Sequence, residues 1–568
     1  MTDEFKYAID RLTFSNGTEI EIAEDSLILI VGPNSSGKSS ALRDIAKDIR
    51  RDAVSDNKVI KNVSTHKDGT EKGFATWIDN NFPLRNINGE DVYYIDKNVI
   101  QKNKVASYFN SLENITDFLL RALYTKDRLF IADSKRRFDL NRGKPQEFIH
   151  MLQLDFNLKR EINSNLKLLF DKQLYINNGH DSNVWFHVGL LETNFDDASN
   201  EPENLKKLNK LPKLEEEGDG IKSFVATLLA LECGCQPLLT IDEPELFLHS
   251  VQCRKLGKLL AENTKKKKRQ IIAATHSSDI VQGALEADAK VTICRIERDG
   301  DVNVPCVLNT DDIKEYWNDP LLKSSNAIDG IFHEGVVICE GDKDCMFYNA
   351  ILNKCAETKE IPQPTDLYFI HGSGKGKIAS LASSYKKLNI KCAAIADFDI
   401  LSQLGELKKT YTALKGDYDA VQENYNAIRL DLNSIPTLKS INDIVAAIKK
   451  LLDKIEKEKE KVSVSNKNKE EISDLLNQAS NWSSQKKNGV HSIKDDMKKE
   501  KCKELLNAFN EKGLFISPEG ELESWIKGVS KEKWLEDALS KISDDSASID
   551  PAKYFIKKIF EYLYSQKL

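Results

Sequence analysis

Residues 26–40 are SLILIVGPNSSGKSS, and the reading of this stretch decides the fold. The run SLILIV makes a buried strand, Gly32-Pro33-Asn34-Ser35-Ser36-Gly37-Lys38-Ser39 fits the GxxxxGK[ST] spacing, and Ser39 and Ser40 open a helix with apolar residues three and four apart. A glycine-rich loop between a strand and a helix N-terminus is what a phosphate loop requires, because backbone N–H groups and the helix end must surround the β- and γ-phosphates of a nucleotide. Gly32, Asn34, Ser35, Ser36, Gly37 and Ser40 are therefore candidate ATP contacts. Lys38 supplies a mobile positive charge, and the Ser39 hydroxyl can ligate Mg²⁺.

A second stretch answers to the first. In LLTIDEPE (residues 238–245) a β-forming run carries Asp242 to the end of a buried strand, where its carboxylate can hold the nucleotide's Mg²⁺ through water. Glu243 stands next to it, placed to orient or deprotonate an attacking water. Two acids after an apolar strand would otherwise only solvate a strand end; the phosphate loop upstream gives them a joint reading. His276 follows the strand QIIAAT, where a side chain can sense the γ-phosphate.

The chain has 568 residues, of which 40% are hydrophobic and 30% charged, with 27 Gly and 14 Pro. That is enough apolar material for sizeable cores, and it excludes a disordered or fibrous chain. The 82 basic residues against 89 acidic ones give a formal charge of -7, so no global attraction to nucleic acid is expected and only a local basic channel remains open to it. No apolar run approaches the roughly 18 residues that span a bilayer. The start, MTDEFKYAID, lacks the basic region and apolar core of a signal peptide, so the expected location is cytoplasmic, with no membrane partner. Ten scattered Cys without a CxxC pair are read as small buried hydrophobes in a reducing compartment.

Along the chain, the expected fold class is α/β. Residues 1–325 form the first domain, with an elaboration over 51–210 that includes the helical stretch SLENITDFLLRALY (111–124). The polar segment 194–220 is read as a solvated loop, the helix IKSFVATLLALECG follows it, and EPELFLHSVQCRKLGKLLAE (243–262) is read as one long helix. Residues 326–401 restart a strand and helix alternation, which favours a second mainly parallel sheet. Residues 402–510 are a charged helical insertion without a sustained heptad seam, and 511–568 complete the second domain and end in helices.

The second domain carries its own constellation. Glu340 ends the strand GVVIC, Asp344 starts the next helix, and Asp397 and Asp399 close the strand AAIADFD. Residues two apart on an extended strand point the same way, so Asp397 and Asp399 are expected to converge, and acids at the C-terminal ends of parallel strands share one crevice. Clustered carboxylates favour divalent cations, which can drive phosphodiester hydrolysis. Lys375 and Lys377, in HGSGKGK, are read either as phosphate contacts or as a solvated basic loop.

The first set of motifs resembles the ABC-type ATPases, in the branch of the SMC/Rad50-like and OLD-family proteins. The resemblance implies that Glu243 is the hydrolytic base, that His276 is the switch histidine, and that Gly218–Ser223, with Gly220 and Lys222, corresponds to the signature segment, although the Ser-Gly-Gly-Gln string is missing. In that family the signature caps ATP on the opposite subunit, so a homodimer or higher homo-oligomer is implied. The second constellation is similar to a TOPRIM domain, with Glu340, Asp344, Asp397 and Asp399 as metal ligands and Glu521 or Glu523 from PEGELESW entering a second metal site. An ATPase followed by TOPRIM resembles the OLD-family nucleases, including Gabija-type antiphage proteins, and also fused PARIS-type defence proteins. What this implies is an ATP-regulated endonuclease using Mg²⁺, with Mn²⁺ able to substitute, with DNA rather than tRNA as the favoured reading of its substrate and a companion defence protein as a further partner. The alternatives are a PARIS-like sensor whose nuclease cleaves tRNA, and an ATPase scaffold that binds phage trigger proteins.

Overall fold

Every residue of Ser26–Val31 is buried, and this strand lies inside a six-stranded sheet. The computed structural model describes residues 4–51, 58–87, 89–95, 98–139, 144–145, 147–178, 182–192, 195, 201–300, 302–308, 327–363, 365–372, 374–437, 439–457, 466–478, 482–526, 533–544 and 548–565. Two compact units span residues 1–311 and 312–568. The boundary expected at residue 325 lies outside the described residues, as do 194 and 196–200 in the expected solvated loop and 458–465 in the helical insertion.

The strands of the first unit are β1 (Lys6–Phe14), β2 (Glu19–Glu21), β3 (Ser26–Val31), β4 (Ile60–Asp68), β5 (Leu84–Ile87), β6 (Glu90–Ile95), β7 (Asn98–Gln101), β8 (Leu120–Leu123), β9 (Lys135–Arg136), β10 (Gln173–Asn177), β11 (Asn183–Gly189), β12 (Leu238–Asp242), β13 (Gln270–Ala274), β14 (Lys290–Asp299) and β15 (Val302–Leu308). The six-stranded sheet has the order β15-β14-β3-β13-β12-β8, parallel throughout except for the β14–β15 hairpin. Its register aligns Asp242 with Ala274 and Ala274 with Ile30, so the loops that follow β3, β12 and β13 leave from one edge. The helix Lys38–Arg50 buries Ala41, Leu42, Ile45 and Ile49 at helical spacing, and the first three pack with Ile28, Ile30 and Ala274 of the sheet. Asp44 is buried on that helix and accepts the N–H groups of Val59 (2.7 Å) and Ile60 (3.1 Å), which ties the start of β4 to it. Small antiparallel sheets β2-β1-β4, β5-β6-β7 and β10-β11-β9 make up the rest.

Three expectations are corrected here. Residues 111–124 do not form one helix: a short helix Thr116–Leu119 gives way to β8, paired in parallel with β12. A short apolar run suits a strand as well as a helix, and the pairing edge of β12 decides between them. The helix after β12 begins only at Ser250, because Glu243 and Phe247 adopt left-handed φ values of 48° and 69° and coil the intervening residues into turns. The segment 194–220 is not all loop: Pro202–Leu208 is helical, and Leu205, Leu208 and Leu214 are buried.

In the second unit β16 (Gly335–Cys339), β17 (Leu367–His371), β18 (Cys392–Ala396) and β19 (Leu514–Ile516) form an all-parallel sheet of order β17-β16-β18-β19. The helices Asp342–Glu357 and Lys375–Lys387 follow β16 and β17. The described helices Leu404–Ala413, Tyr418–Asn433, Ile441–Lys457, Asn466–Gln478, Ser483–Asn488 and Asp496–Asn510 all fall between β18 and β19 in the chain. The C-terminal helices Trp534–Ser543 and Asp550–Ser565 bury Trp534 and Phe555 against Phe347, Tyr348 and Trp525.

Candidate nucleotide and metal sites

At the edge where β3, β12 and β13 end, the chain after β3 turns back over its own loop. Gly32 has φ 137°, and a Cβ there would lie 2.2 Å from the Ile296 carbonyl oxygen of β14, so only glycine fits. Lys38 is buried, and its ammonium donates to the carbonyls of Gly32 (2.9 Å) and Pro33 (2.6 Å) and to Ser36 Oγ (3.4 Å). Gly37 is the N-cap of the following helix, Asn34 and Ser35 are exposed, and Ser40 lies in the first helical turn. Ser39 Oγ donates to Asp242 Oδ1 at 2.8 Å, joining two side chains 203 residues apart. A hydroxyl and a carboxylate held together at the mouth of a phosphate loop are the donor pair a nucleotide's Mg²⁺ takes.

Glu243 follows directly, its N–H donating to the Ala274 carbonyl (2.9 Å). His276 lies past β13; crowding of its ring by protein, with the Lys38 ammonium secondary, pushes the imidazole pKa downward. Gly220 and Lys222 stand in the first turn of the helix Asp219–Cys233. A Cβ on Gly220 would come 2.5 Å from the Phe247 carbonyl oxygen, so this helix start is packed tightly on the turn after Glu243, while Lys222 pairs with Asp219 at 3.3 Å. His249 is the N-cap of the helix Ser250–Lys267, a structural position.

Residues not singled out in the sequence complete this edge. Arg128, 0% exposed, donates from Nη1 to the Asp242 carbonyl (3.0 Å) and from Nη2 to the Glu243 carbonyl (2.9 Å), clamping both peptides around the left-handed Glu243. Glu245 Oε1 accepts the His276 N–H at 2.6 Å, and burial raises the Glu245 carboxyl pKa. Asn303 of β15 donates to the Ser36 carbonyl at 2.5 Å.

In the second unit Glu340, Asp397 and Asp399 come together, one carboxylate oxygen from each lying within 4.8 Å of the others. Asp397 follows β18, and Glu340 Oε1 accepts its backbone N–H at 2.8 Å. The expected reason for the pairing of Asp397 and Asp399 is corrected: β18 stops at Ala396, and Asp399 is brought back by a 3₁₀ turn over Phe398–Ser402 rather than by strand alternation. Lys375, at the start of its helix, bonds to Asp399 and stands 3.8 Å from Glu340 Oε2. Burial pushes the Glu340 carboxyl up to about 7 despite the pull of Lys375, and burial followed by the Glu340 charge holds Asp397 well above the usual carboxylate range.

Asp344 accepts the Gly341 N–H at 2.9 Å at the head of its helix, and its pKa is raised by burial first and by Glu523 among its neighbours. Glu523 is thus within electrostatic reach of Asp344. Glu521 ties down its own segment, its N–H donating to the Lys486 carbonyl at 2.7 Å. Three partly buried acids of like charge, compensated by one ammonium, are a poor arrangement for ionised carboxylates in protein alone and a good one for a hard, oxygen-seeking cation such as Mg²⁺ or Mn²⁺. Glu24, His66 and Asp68 form a second group of the same compactness in the first unit. There His66 already engages Asp10 (2.5 Å) and Glu24 (3.1 Å), and Lys6 pairs with Glu24 (3.4 Å), which is a surface ion-pair network.

Among the described residues no helix is long and apolar enough to cross a membrane. No curated protein matches the chain in a sequence comparison. Solved structures similar to it include "Crystal structure of the SmcHead bound to the C-winged helix domain of ScpA" (14% identity, 54% of this chain and 99% of that one, TM-score 0.33) and "SMC head domain from Thermotoga maritima" (14%, 54% and 99%, TM-score 0.28). An Smc head domain bound to the C-terminal domain of ScpA derived from Pyrococcus furiosus is similar at 12% identity, over 54% of this chain and 98% of that one, with TM-score 0.31. Residues 27–281 match the family described as "AAA domain, putative AbiEii toxin, Type IV TA system". Residues 331–399 match "Overcoming lysogenization defect protein-like, TOPRIM domain". The chain is thus an AAA-type ATPase domain fused to an OLD-like TOPRIM domain, an architecture consistent with the OLD, Gabija and PARIS-like defence fusions.

Proposed function

We propose that this protein is an ATP-regulated, divalent-metal-dependent endonuclease of antiphage defence, acting on DNA. The observation that carries the reading is the convergence of Glu340, Asp397 and Asp399, with Lys375 between them, at the C-terminal edge of a parallel sheet. Mg²⁺ or Mn²⁺ bound there would polarise the phosphodiester and supply a hydroxide nucleophile. Glu340, Asp397 and Asp399 hold the cation in this reading, and Asp344 with Glu523 offers carboxylates for a second one. The Lys375 ammonium, once freed from Asp399, is placed to meet the scissile phosphate.

In the first unit Lys38 and the loop residues bind the phosphates of ATP, Ser39 and Asp242 hold its Mg²⁺, Glu243 orients the attacking water and His276 reads the γ-phosphate. The Gly218–Ser223 helix start is read as capping the nucleotide of a second copy, which makes the protein a homodimer in this reading.

The experiment is incubation of the full chain with supercoiled plasmid and with total tRNA, each with Mg²⁺ or Mn²⁺ and with ATP, ADP or no nucleotide. Asp397→Ala is the control. Metal-dependent cleavage that vanishes in Asp397→Ala is expected, and the cut substrate separates the DNA reading from the tRNA one. No cleavage under any condition, or cleavage retained by Asp397→Ala in a preparation free of contaminating nuclease, overturns it.

A further inference from the structure

A protein of net charge -7 carries a sharp local inversion of charge beside the TOPRIM acids. The helices Lys375–Lys387 and Leu404–Ala413 leave a groove of about 1110 Å³ between them, walled by Lys386, Lys387, Lys408, Lys409 and Lys415. The small residues Ala379, Ser380, Ser383 and Gly405 also line it, together with Leu404. Among the described lining residues none is acidic. Glu406, next to the groove, pairs with Lys409 at 3.2 Å, and the Lys408 ammonium lies 4.9 Å from the centre of the Tyr418 ring. The charges of Lys386, Lys387, Lys408 and Lys415 therefore face the groove without a carboxylate from its lining to neutralise them.

The direction of the groove follows from its two ends. A Cβ on Gly376 would lie 3.7 Å from Glu406 Oε2, so the two helix starts are adjacent. Lys386 and Lys387 from the end of the first helix and Thr412, Ala413 and Lys415 from the end of the second line the same groove, so the far ends are adjacent too. One end of the groove therefore opens beside Lys375, which is bonded to Asp399, and the other is ringed by Lys386 and Lys415. At 1.5 Å per helical residue the groove is about 18 Å long. Phosphates on one strand of a duplex recur about every 3.4 Å along the axis, so about five lie along that length. The small lining residues leave room for a sugar-phosphate backbone; among the described lining residues none is aromatic, and Leu404 is the one large apolar side chain, against five lysines.

Resting on the nuclease reading above, we propose that this groove is the track for the nucleic-acid backbone and leads the scissile phosphodiester to Glu340, Asp397 and Asp399. Sequence-independent binding by spaced ammonium groups is what such a track supplies, since contacts to phosphate fix register without reading bases.

The test uses the full chain carrying Asp397→Ala, so that binding is measured without cutting. Fluorescence anisotropy with a labelled 30-base-pair DNA duplex and with a labelled tRNA is followed from 50 to 200 mM salt. Combining Lys386→Gln, Lys408→Gln and Lys415→Gln should raise Kd at least tenfold and make the log–log salt slope shallower by about 2 to 3, roughly one for each lysine removed. Removing three exposed charges on another helix of the unit, with Lys498→Gln, Lys501→Gln and Lys503→Gln, should change Kd less than threefold. Unchanged binding by a groove variant with a native melting temperature overturns the proposal, as does an equal loss in the control, or failure of the parent to bind either probe. Lost binding in the groove variant together with no cleavage by the unsubstituted chain keeps the groove and removes the nuclease reading. Metal-dependent cleavage together with unchanged groove binding does the reverse.

Discussion

Replacing Arg128 with Met removes a guanidinium that holds the carbonyls on both sides of Glu243, at 3.0 and 2.9 Å. Hydrogen bonds from a charged donor contribute roughly 1.5–3 kcal/mol each. Part of that is offset because burial already disfavours the Arg128 cation and pulls its pKa down, so a net loss of about 2–4 kcal/mol is expected. Glu243 sits at φ 48°, a conformation a non-glycine residue leaves readily once its flanking peptides are released. A displacement of about 1 Å at a water-positioning carboxylate costs on the order of 100-fold in turnover. Steady-state ATP hydrolysis should therefore fall about 100-fold in Arg128→Met, while ATP binding measured by titration changes far less, because Lys38 and Ser39 stay in place. Arg128→Lys, whose ammonium can reach one carbonyl, should fall between the two. ATP turnover within twofold of the parent, in an Arg128→Met preparation shown to be folded, would refute the clamp.

Lys38→Ala should weaken ATP binding by removing the ammonium proposed to bind the phosphates, whereas Glu243→Gln should retain binding, slow hydrolysis and favour an ATP-bound dimer; equal parental turnover in both variants sinks that assignment. Glu340→Ala and Asp399→Ala should abolish metal-dependent cleavage and leave ATP hydrolysis largely intact, to be read from parallel nuclease and phosphate-release assays. His150 and His187 are both buried, and burial lowers both imidazole pKa values below the ordinary 6.5. Above pH 6.5 neither state binds the proton; as pH falls below it the unfolded chain binds protons that the folded one refuses, so the first unit loses stability on acidification. His187→Gln should flatten that fall, seen as a smaller drop in melting temperature between pH 7.5 and pH 5.5, and an unchanged drop counts against it.

What was legible in the sequence is what is local. The phosphate loop, Asp242 with Glu243, and the acids after β16 and β18 each sit on a strand end that announces itself within about ten residues. Arg128 was not legible, since its partners are 114 and 115 residues away, and the strand before its short helix Thr125–Leu129, β8, lies in a run that suits a helix equally well. Asn303 reaches Ser36 across 267 residues of chain from a hairpin with no motif. Asp399 was found for an incorrect geometric reason: strand alternation and a 3₁₀ turn happen to return the same residue to the same crevice. Lys375 shows the difference between type and role, because nothing in a Gly/Lys loop says that its ammonium will lie between two carboxylates.

The insertion between β18 and β19 also sets a schedule for synthesis. β19 pairs with β18 through Ala394 and Leu514, so the last strand of the sheet leaves the ribosome about 120 residues after its neighbour, an interval of roughly 6–24 s at 5–20 residues per second. Until then β18 has an open edge, and Glu523, which follows β19, has not yet joined Asp344. The acidic crevice is therefore joined late by Glu523, and a truncated product ending inside the insertion would carry Glu340, Asp397 and Asp399 on a three-stranded sheet whose β18 edge is left unpaired.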